Sequence, residues 1–285
     1  MIEHHAVDIT ALAVLGEQFP LRLQQMGFRL MQVIDATGQD QFRYVIPPLC
    51  DVPAGFFRIG SDKQDDPRAH DNETVQSTIA VPSFQMSAYP VTVAEYECAV
   101  MDLAVYEPRN PGNCSWQTQL RCPDHPVVCI NWHEATVYAA WLAQVTRQSW
   151  RLPTEVEWEK AARGTDGRLY PWGYQRDARR ANTTDGGPGE ATPIGAYAAR
   201  GDASPYGVHD MAGNVWEWTS SRYRERPNYH GDPAEVDDDT DAYRVVRGGC
   251  CRDSLRAARA AARGSHLPYY ADSWGGMRLV LSGPD

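Results

Sequence analysis

The chain has 285 residues and a formal net charge of −10 at pH 7. An acidic chain of this length disfavours a general nucleic-acid binder, and no apolar stretch is long enough to insert into a membrane. No basic segment followed by an apolar run begins the chain, so we expect no secretory signal and a cytoplasmic location. Seven cysteines favour free thiols in a reducing compartment, although Cys114 and Cys122 flank a turn-rich loop and could pair.

The N-terminal residues differ in pattern from the rest of the chain. Apolar residues recur at helical spacing between Leu12 and Met26, which predicts one or two amphipathic helices. The segments 32–35 and 41–46 predict a β-hairpin that ends before Pro47. We expect residues 1–48 to form a flank packed on a main domain at residues 49–285.

Two longer helices are predicted in the middle of the chain. Residues 132–145 carry an apolar stripe at helical spacing. The sequence TEVE at 154–157 is a capping box, in which Thr154 accepts from the backbone of Glu157, and Gly164 ends the helix. Glu155 and Glu159 could form an acid/base pair. Because we expect this helix to be solvated, a structural role is favoured.

Several motifs recur in a fixed order along the chain. They are VPSFQM at 81–86, YPVTVAEY at 89–96, RLPTEVEWEKAARG at 151–164, YGVHDMAGNVWEW at 206–218 and RVVRGG at 244–249. On these motifs the chain resembles the formylglycine-generating-enzyme (sulfatase-modifying factor) family over roughly 230 residues. The resemblance implies an α+β, C-type-lectin-like fold of the formylglycine-generating-enzyme type. This fold has a twisted antiparallel sheet, two main helices and much irregular structure.

A metal site is expected between Asp210 and Glu217. Oxygen ligands suit calcium, and Gly-containing turns let carbonyl groups converge on the ion. The resemblance implies a structural calcium ion held by the side chains of Asp210 and Glu217 and by the carbonyls of Gly213 and Val215. Alternatively the segment is structural, with Asn214 capping a turn beside core tryptophans.

The catalytic cysteines of the family do not align with cysteines here. Family enzymes use two cysteines that bind copper as thiolates. Aligned from RGG at 247–249, the first position falls on Asp253 and the second within residues 255–258. Cys250 and Cys251 are adjacent, and we expect their side chains to point apart as in an extended chain. A further branch of the fold uses clustered histidines for iron, and the eight histidines here do not pair at ligand spacing. We therefore expect no catalytic residue, no copper and no enzyme.

The tail, residues 244–280, resembles that of the variable proteins of diversity-generating retroelements. In those proteins error-prone copying replaces adenines in the C-terminal segment while a framework persists. The resemblance implies a framework at RVVRGG, Arg259, Arg263, Pro268, Gly276 and Arg278. The exposed, ligand-binding positions between them are expected to be Cys251, Arg252, Asp253, Ser254, Gly264, Ser265, His266, Leu267, Tyr269, Tyr270, Asp272, Ser273 and Trp274.

The composition of the tail agrees with this interpretation. An AAC codon with its adenines randomised cannot encode Trp, Met, Lys, Glu or Gln. These five types make up 46 of the 285 residues, yet residues 250–276 contain only Trp274. About four would be expected by chance.

The predicted function is therefore ligand binding by a diversified C-terminal surface. Tyrosine and tryptophan supply rigid contact area, so the expected partner is a protein or other macromolecule, with no nucleic acid and no membrane insertion. By helix propensity alone, residues 253–263 would form a short helix capped by Asp253 with solvated arginines, and only residues 264–274 would bind. The alternatives are a copper-dependent oxidase of the same family and an undiversified interaction domain.

Overall fold

The computed structural model describes residues 3–6, 19–34, 40–74, 76–108, 115–225, 227, 229 and 241–282. Within these ranges the helices are α1 (Leu21–Gln25), α2 (Val93–Met101), α3 (Trp116–Gln119), α4 (Trp132–Thr146) and α5 (Glu155–Arg163). The strands are β1 (Glu3–Ala6), β2 (Arg29–Ile34), β3 (Asp40–Ile46), β4 (Leu49–Val52), β5 (Gly55–Ile59), β6 (Ser77–Val81), β7 (Phe84–Ser87), β8 (Trp150–Arg151), β9 (Trp216–Arg222), β10 (Arg244–Arg247), β11 (Gly264–His266), β12 (Gly275–Met277) and β13 (Val280–Ser282).

The strands form small, mostly antiparallel sheets. Their orders are β1-β2-β3, β11-β10-β9-β12, β4-β7-β13-β8 and β5-β6, and only the β12–β9 pair is parallel among these ladders. The predicted hairpin is confirmed, because β2 and β3 pair antiparallel. The predicted α+β class is confirmed as well. Of the predicted N-terminal helices, residues 7–18 lie outside the described part of the chain, and α1 covers the remainder.

The N-terminal strands share a core with the body. Val33 and Tyr44 belong to the same buried cluster as Tyr96 of α2 and Trp141 of α4. Apolar burial of this kind contributes roughly 25 cal/mol per Å² removed from water. The flank is therefore held against the helices by the same core that orders them.

Helix α5 begins at the predicted capping box, with Thr154 accepting from the backbone of Glu157. Its predicted solvation is wrong, because every residue of the helix is buried. Lys160 donates from Nζ to the carbonyls of Pro53 and Gly55, at 2.6 and 3.2 Å. A buried charge requires such partners. The helix lies at the centre of the molecule, and the structural role expected for its glutamates agrees with that position.

Two further expectations concern cysteines and membranes. The six cysteines within the described ranges are free thiols, including Cys122, whereas Cys114 lies outside these ranges. None of the helices that the structure describes combines the length and apolarity that crossing a membrane requires.

Helix α2 begins at a second capping box whose carboxyl group is fully buried. The side chain of Glu95 accepts hydrogen bonds from the backbone and the hydroxyl of Thr92, both at 2.7 Å. Its other oxygen, Oε1, is buried without a hydrogen-bond partner among the described residues. Burial raises the pKa of Glu95 to about 7, against the lowering effect of the bonds from Thr92. The folded chain therefore holds a proton on Glu95 at a pH at which the unfolded chain has lost it.

We expect this proton to make stability depend on pH. The pKa of Glu95 rises on folding from 4.5 to about 7, so stability falls as pH increases from about 5 to 7 and is constant above that. Glu95→Gln removes this slope, which amounts to at most about 3 kcal/mol. Urea unfolding at several pH values measures it. Glu134→Gln, which alters the equivalent capping carboxylate of α4, is the control. Parallel pH profiles for Glu95→Gln and the unchanged chain would show that Glu95 does not titrate on folding.

Candidate ligand-binding face

The tail supplies three of the four strands of one sheet. Strands β10, β11 and β12 lie around β9, so residues 248–263 and 267–274 are the connections between them. The chain leaves β10 through Gly248 and Gly249, whose φ angles are +95° and +71°. A Cβ at Gly249 would lie 3.0 Å from the backbone of Ala257. The RGG motif therefore turns the chain sharply out of the sheet, where only glycine fits.

Residues 253–263 are turns and not the helix that propensity favours. The amide of Thr184 donates to the carbonyl of Asp253 at 2.8 Å, and the amide of Ala260 donates to that of Leu169 at 2.8 Å. These bonds to distant segments replace the bonds that a helix would make within itself. The helical interpretation is wrong because tertiary partners outweigh a small local preference.

The arginines of this segment are buried and paired, not solvated. Arg259 forms two hydrogen bonds to Glu73, at 2.7 and 2.9 Å, and a third to Asp66. Arg263 donates hydrogen bonds to both carboxylate oxygens of Glu155, at 2.8 and 3.0 Å. A planar guanidinium that binds a carboxylate through two donors has a fixed orientation. The two arginines therefore fix the segment between β10 and β11 to the body.

Arg278 holds the other end of the tail through Glu217. Its Nε and Nη2 atoms donate to the two carboxylate oxygens at 2.6 and 2.7 Å, and Trp158 donates to the same carboxylate at 2.5 Å. Both oxygens of Glu217 are therefore taken. Asp210 accepts from the amide of Gly195 at 2.6 Å, and burial, with the charge of Asp202 second, raises its pKa to about 7.

The oxygens expected to hold calcium do not fit the ion in this arrangement. Calcium requires six to eight oxygen ligands, and one of the two expected carboxylates is committed to an arginine. Of the four expected ligands, this leaves the carboxylate of Asp210 and the carbonyls of Gly213 and Val215. The described residues also contain no group of three or more His, Cys, Asp or Glu side chains that could hold a metal. We derive no role for a metal here.

The loop between β11 and β12 is anchored through its backbone. Three of its carbonyls accept hydrogen bonds from amides of the body: that of Pro268 from Trp132 at 2.9 Å, that of Asp272 from Cys129 at 2.8 Å and that of Trp274 from Trp216 at 2.7 Å. A carbonyl is present whatever side chain its residue bears. These three anchoring bonds are therefore independent of the side chains that the loop carries.

The side chains of this loop lie at the surface. Tyr269 and Tyr270 are 62% and 43% exposed. The ring of His266 stacks on that of Tyr270, with centroids 4.6 Å apart. The guanidinium of Arg252 lies 5.8 Å from the centre of the Trp274 ring. The structure thus brings predicted positions from both connections together in one surface, which we call the C-terminal face.

A small cavity opens in the C-terminal face beside Tyr270. It is about 10 Å³ in volume, enough for roughly one water molecule, and is lined in part by His266, Asp272 and Trp218. Burial lowers the pKa of His266 and raises that of Asp272. Burial and a hydrogen bond with Asp272 raise the pKa of Tyr270. Burial therefore disfavours the charged forms of both His266 and Asp272.

Two of the thirteen predicted binding positions lie against the core. Cys251 is only 2% exposed. A Cβ at Gly264 would lie 2.9 Å from Val246 and 3.2 Å from Trp216, so a larger residue cannot fit without rearrangement. Both were expected at the exposed binding surface. Cys251 is buried instead, and Gly264 is half-buried without room for a side chain. The other eleven are exposed or half-buried: Arg252, Asp253, Ser254, Ser265, His266, Leu267, Tyr269, Tyr270, Asp272, Ser273 and Trp274.

The adjacent cysteines lie close together, against expectation. They occupy a turn and not an extended strand, and their side chains lie close enough to shift each other's pKa. The interaction between the two thiols, with the charge of Arg252 as a lesser cause, lowers the pKa of Cys251, whereas the same interaction and burial raise that of Cys250. The Cys250 thiol also donates to Asp253 at 3.1 Å. A lowered pKa favours the thiolate, which is the reactive form of cysteine, although the Cys251 side chain is buried. Sequence spacing did not reveal this pair.

The fold is shared with a protein of known structure. Treponema denticola variable protein 1 superimposes with a TM-score of 0.63 at 16% identity, over 85% of this chain and 96% of that one. The likeness shows the fold, and it confirms the predicted C-type-lectin-like architecture of the formylglycine-generating-enzyme type.

Sequence comparison identifies the family. Residues 37–282 match the Sulfatase-modifying factor enzyme 1-like domain, and the chain belongs to that family. The hercynine oxygenase of Mycolicibacterium smegmatis is 31% identical over 264 residues, which cover 80% of this chain and 60% of that protein. The formylglycine-generating enzyme of Bos taurus is 29% identical over 303 residues, covering 82% and 75%. The chain thus spans about 60% of the length of its hercynine oxygenase relative.

These relatives contradict the expectation that the chain is not an enzyme. Both are named as enzymes and are about 30% identical to most of the chain. The expectation rested on the absence of cysteines at two aligned positions. The absence of those two cysteines excludes one arrangement of copper ligands. It does not exclude every activity that the family supports.

We expect a substitution at a buried framework arginine and one in the C-terminal face to differ sharply in their effect on the free energy of unfolding. Arg278→Met leaves Glu217 buried and unpaired and costs about 3–5 kcal/mol of unfolding free energy. Tyr269→Ser, at an exposed position, changes it by less than about 0.5 kcal/mol. Urea unfolding measures both. Adding Glu217→Gln to Arg278→Met recovers part of the loss, because the unpaired charge is removed while an acceptor for Trp158 remains. Similar losses in Arg278→Met and Tyr269→Ser would contradict the distinction.

Proposed function

We propose that the chain binds a protein or other macromolecule through its C-terminal face, and that a retroelement diversifies this face. One observation carries the proposal. Twelve of the thirteen positions expected to vary are exposed or half-buried, and three hydrogen bonds that anchor the loop between β11 and β12 use backbone carbonyls. The side chains of such a surface can change while the backbone of the loop keeps its path.

The chemistry of the face supports recognition of a macromolecule. Tyr269, Tyr270 and Trp274 offer large, rigid contact surfaces that lose little conformational entropy on binding. Exposed aromatic residues and arginines are the residue types that dominate binding energy at protein interfaces. Arg252 lies over the Trp274 ring and is exposed, so it combines both features.

The diversification part of the proposal draws on two supports. One is the composition of residues 250–276, from which residue types unreachable from a randomised AAC codon are nearly missing. The other is the fold shared with a protein named as a variable protein, which makes the scaffold compatible with that use. At 16% identity, the second support concerns the scaffold alone.

Sequencing the locus in many isolates tests diversification. We expect a near-copy of the segment encoding residues 250–276, differing at adenines and lying beside a reverse-transcriptase gene. Among isolates, substitutions should fall on the other eleven positions and spare Cys251, which is buried, and Gly264, where a side chain would meet the core. Isolates that differ evenly along the chain, or a locus with neither near-copy nor reverse transcriptase, would leave an undiversified interaction domain.

A second candidate is an enzyme of the same family that acts on a molecule bound at the C-terminal face. The enzyme names of the relatives favour it, as does the lowered pKa of Cys251 beside Cys250 and Asp253. Incubation with a cysteine-containing peptide and oxygen, with and without copper(I), followed by mass spectrometry, tests an oxidase. Product that disappears in Cys251→Ser would support the enzyme, and an unchanged peptide under both conditions would argue against this oxidase.

A further inference from the structure

An open pocket of about 370 Å³ lies beside the C-terminal face. Its lining residues come from distant parts of the chain and are mostly charged: Arg68, Arg176, Asp185, Ser254 and Arg256. Ser254 is also one of the positions expected to vary. The pocket and the C-terminal face therefore share a wall.

The charge of the pocket is opposite to that of the chain as a whole. Three arginines and one aspartate line it, a local excess of two positive charges in a chain of net charge −10. The carboxylate of Asp185 is already engaged, since it accepts from Arg176 and from the amide of Leu255, both at 2.8 Å. The bond from Leu255 and the charge of Arg176 lower the pKa of Asp185, so it stays ionised.

The other two arginines have no carboxylate partner among the described residues. Arg256 donates from Nε to the carbonyl of Arg68 at 3.1 Å, which leaves its terminal NH₂ groups directed elsewhere. No ion pair of Arg68 or Arg256 exists within the part of the chain that the structure describes. Unpaired guanidiniums beside an open pocket favour an anionic ligand, because each can form two parallel hydrogen bonds to an oxyanion.

A buried network holds the pocket wall in place. The carbonyl of Arg68 accepts from Arg256 and, at 3.4 Å, from Nη2 of Arg259. Arg259 is itself fixed by Asp66 and Glu73 and is almost fully buried. The backbone positions that carry Arg68 and Arg256 are therefore tied to the core, which lowers the ordering cost of binding.

We propose that this pocket binds a phosphate monoester group carried by the ligand. Arg68 and Arg256 donate to the phosphate oxygens, Arg176 adds charge, and the Ser254 hydroxyl donates a further hydrogen bond. A phosphate monoester carries close to two negative charges at neutral pH, which matches the local excess of two positive charges. This assignment rests on the proposed function, because Ser254 belongs both to the pocket and to the positions expected to vary.

Titration calorimetry of the full chain with inorganic phosphate, at constant ionic strength and pH 7.5, tests the pocket. We expect saturable binding that Arg68→Ala or Arg256→Ala weakens about tenfold and that the double variant abolishes. Arg256→Lys keeps the positive charge but loses the pair of parallel hydrogen bonds that a guanidinium can make. It should therefore weaken binding less than Arg256→Ala. The control is Arg179→Ala, which removes an exposed arginine paired with Asp177 and should bind phosphate as the unchanged chain does.

Three results would overturn the assignment. They are no saturable binding of phosphate, equal weakening by Arg179→Ala, and acetate binding as tightly as phosphate. The assay uses inorganic phosphate and no macromolecular ligand, and it does not depend on the locus. A failure here therefore removes the phosphate pocket alone, whereas a failure of the isolate comparison removes diversification alone.

Discussion

The tail depends on arginines that are paired with carboxylates out of contact with water. Arg247 and Arg278 are fully buried and bind Glu159 and Glu217, one on helix α5 and the other on strand β9. Breaking one buried pair leaves a lone charge in the core, which costs far more than the intact pair contributes. These pairs therefore permit one arrangement of the tail on the body and penalise others. The shape of the C-terminal face follows from that arrangement.

In this part of the molecule, the groups that hold the chain in place are not the groups that lie at the surface. Buried guanidiniums and backbone carbonyls hold the chain, while the tyrosines, Trp274 and Arg252 extend away from those bonds. The same separation explains why Cys251 and Gly264 differ from their neighbours, since their side-chain positions point into the packed interior. It also suits an enzyme, because a rigid framework with exchangeable side chains is equally a way to place substrate-binding groups. The two proposed functions, recognition and catalysis, therefore require the same physical property.

Local sequence patterns are sufficient to predict several secondary-structure elements. The sequence TEVE predicts the start of α5, and Thr92 with Glu95 forms the same capping-box pattern at the start of α2. Long-range pairing could not be anticipated. Arg259 and Arg263 resemble a solvated helical face because their carboxylate partners lie 186 and 108 residues away. The contact between Cys250 and Cys251 was missed for a related reason, since it depends on a turn that the preceding glycines and distant backbone bonds impose. The expected calcium ligands followed the family pattern, and the pairing of Glu217 with Arg278 decides against them.

Amide hydrogen exchange tests the central claim most directly. The informative amides are those of Cys129, Trp132 and Trp216, which donate to the loop carbonyls. They are compared between the unchanged chain and a variant carrying Arg252→Ser, Tyr269→Ser and Tyr270→Ser. If backbone bonds and buried arginines hold the loop, these three amides keep their protection within about twofold. If all three exchange at least about tenfold faster while amides inside α4 are unchanged, the side chains themselves hold the loop, and the face is not a replaceable surface.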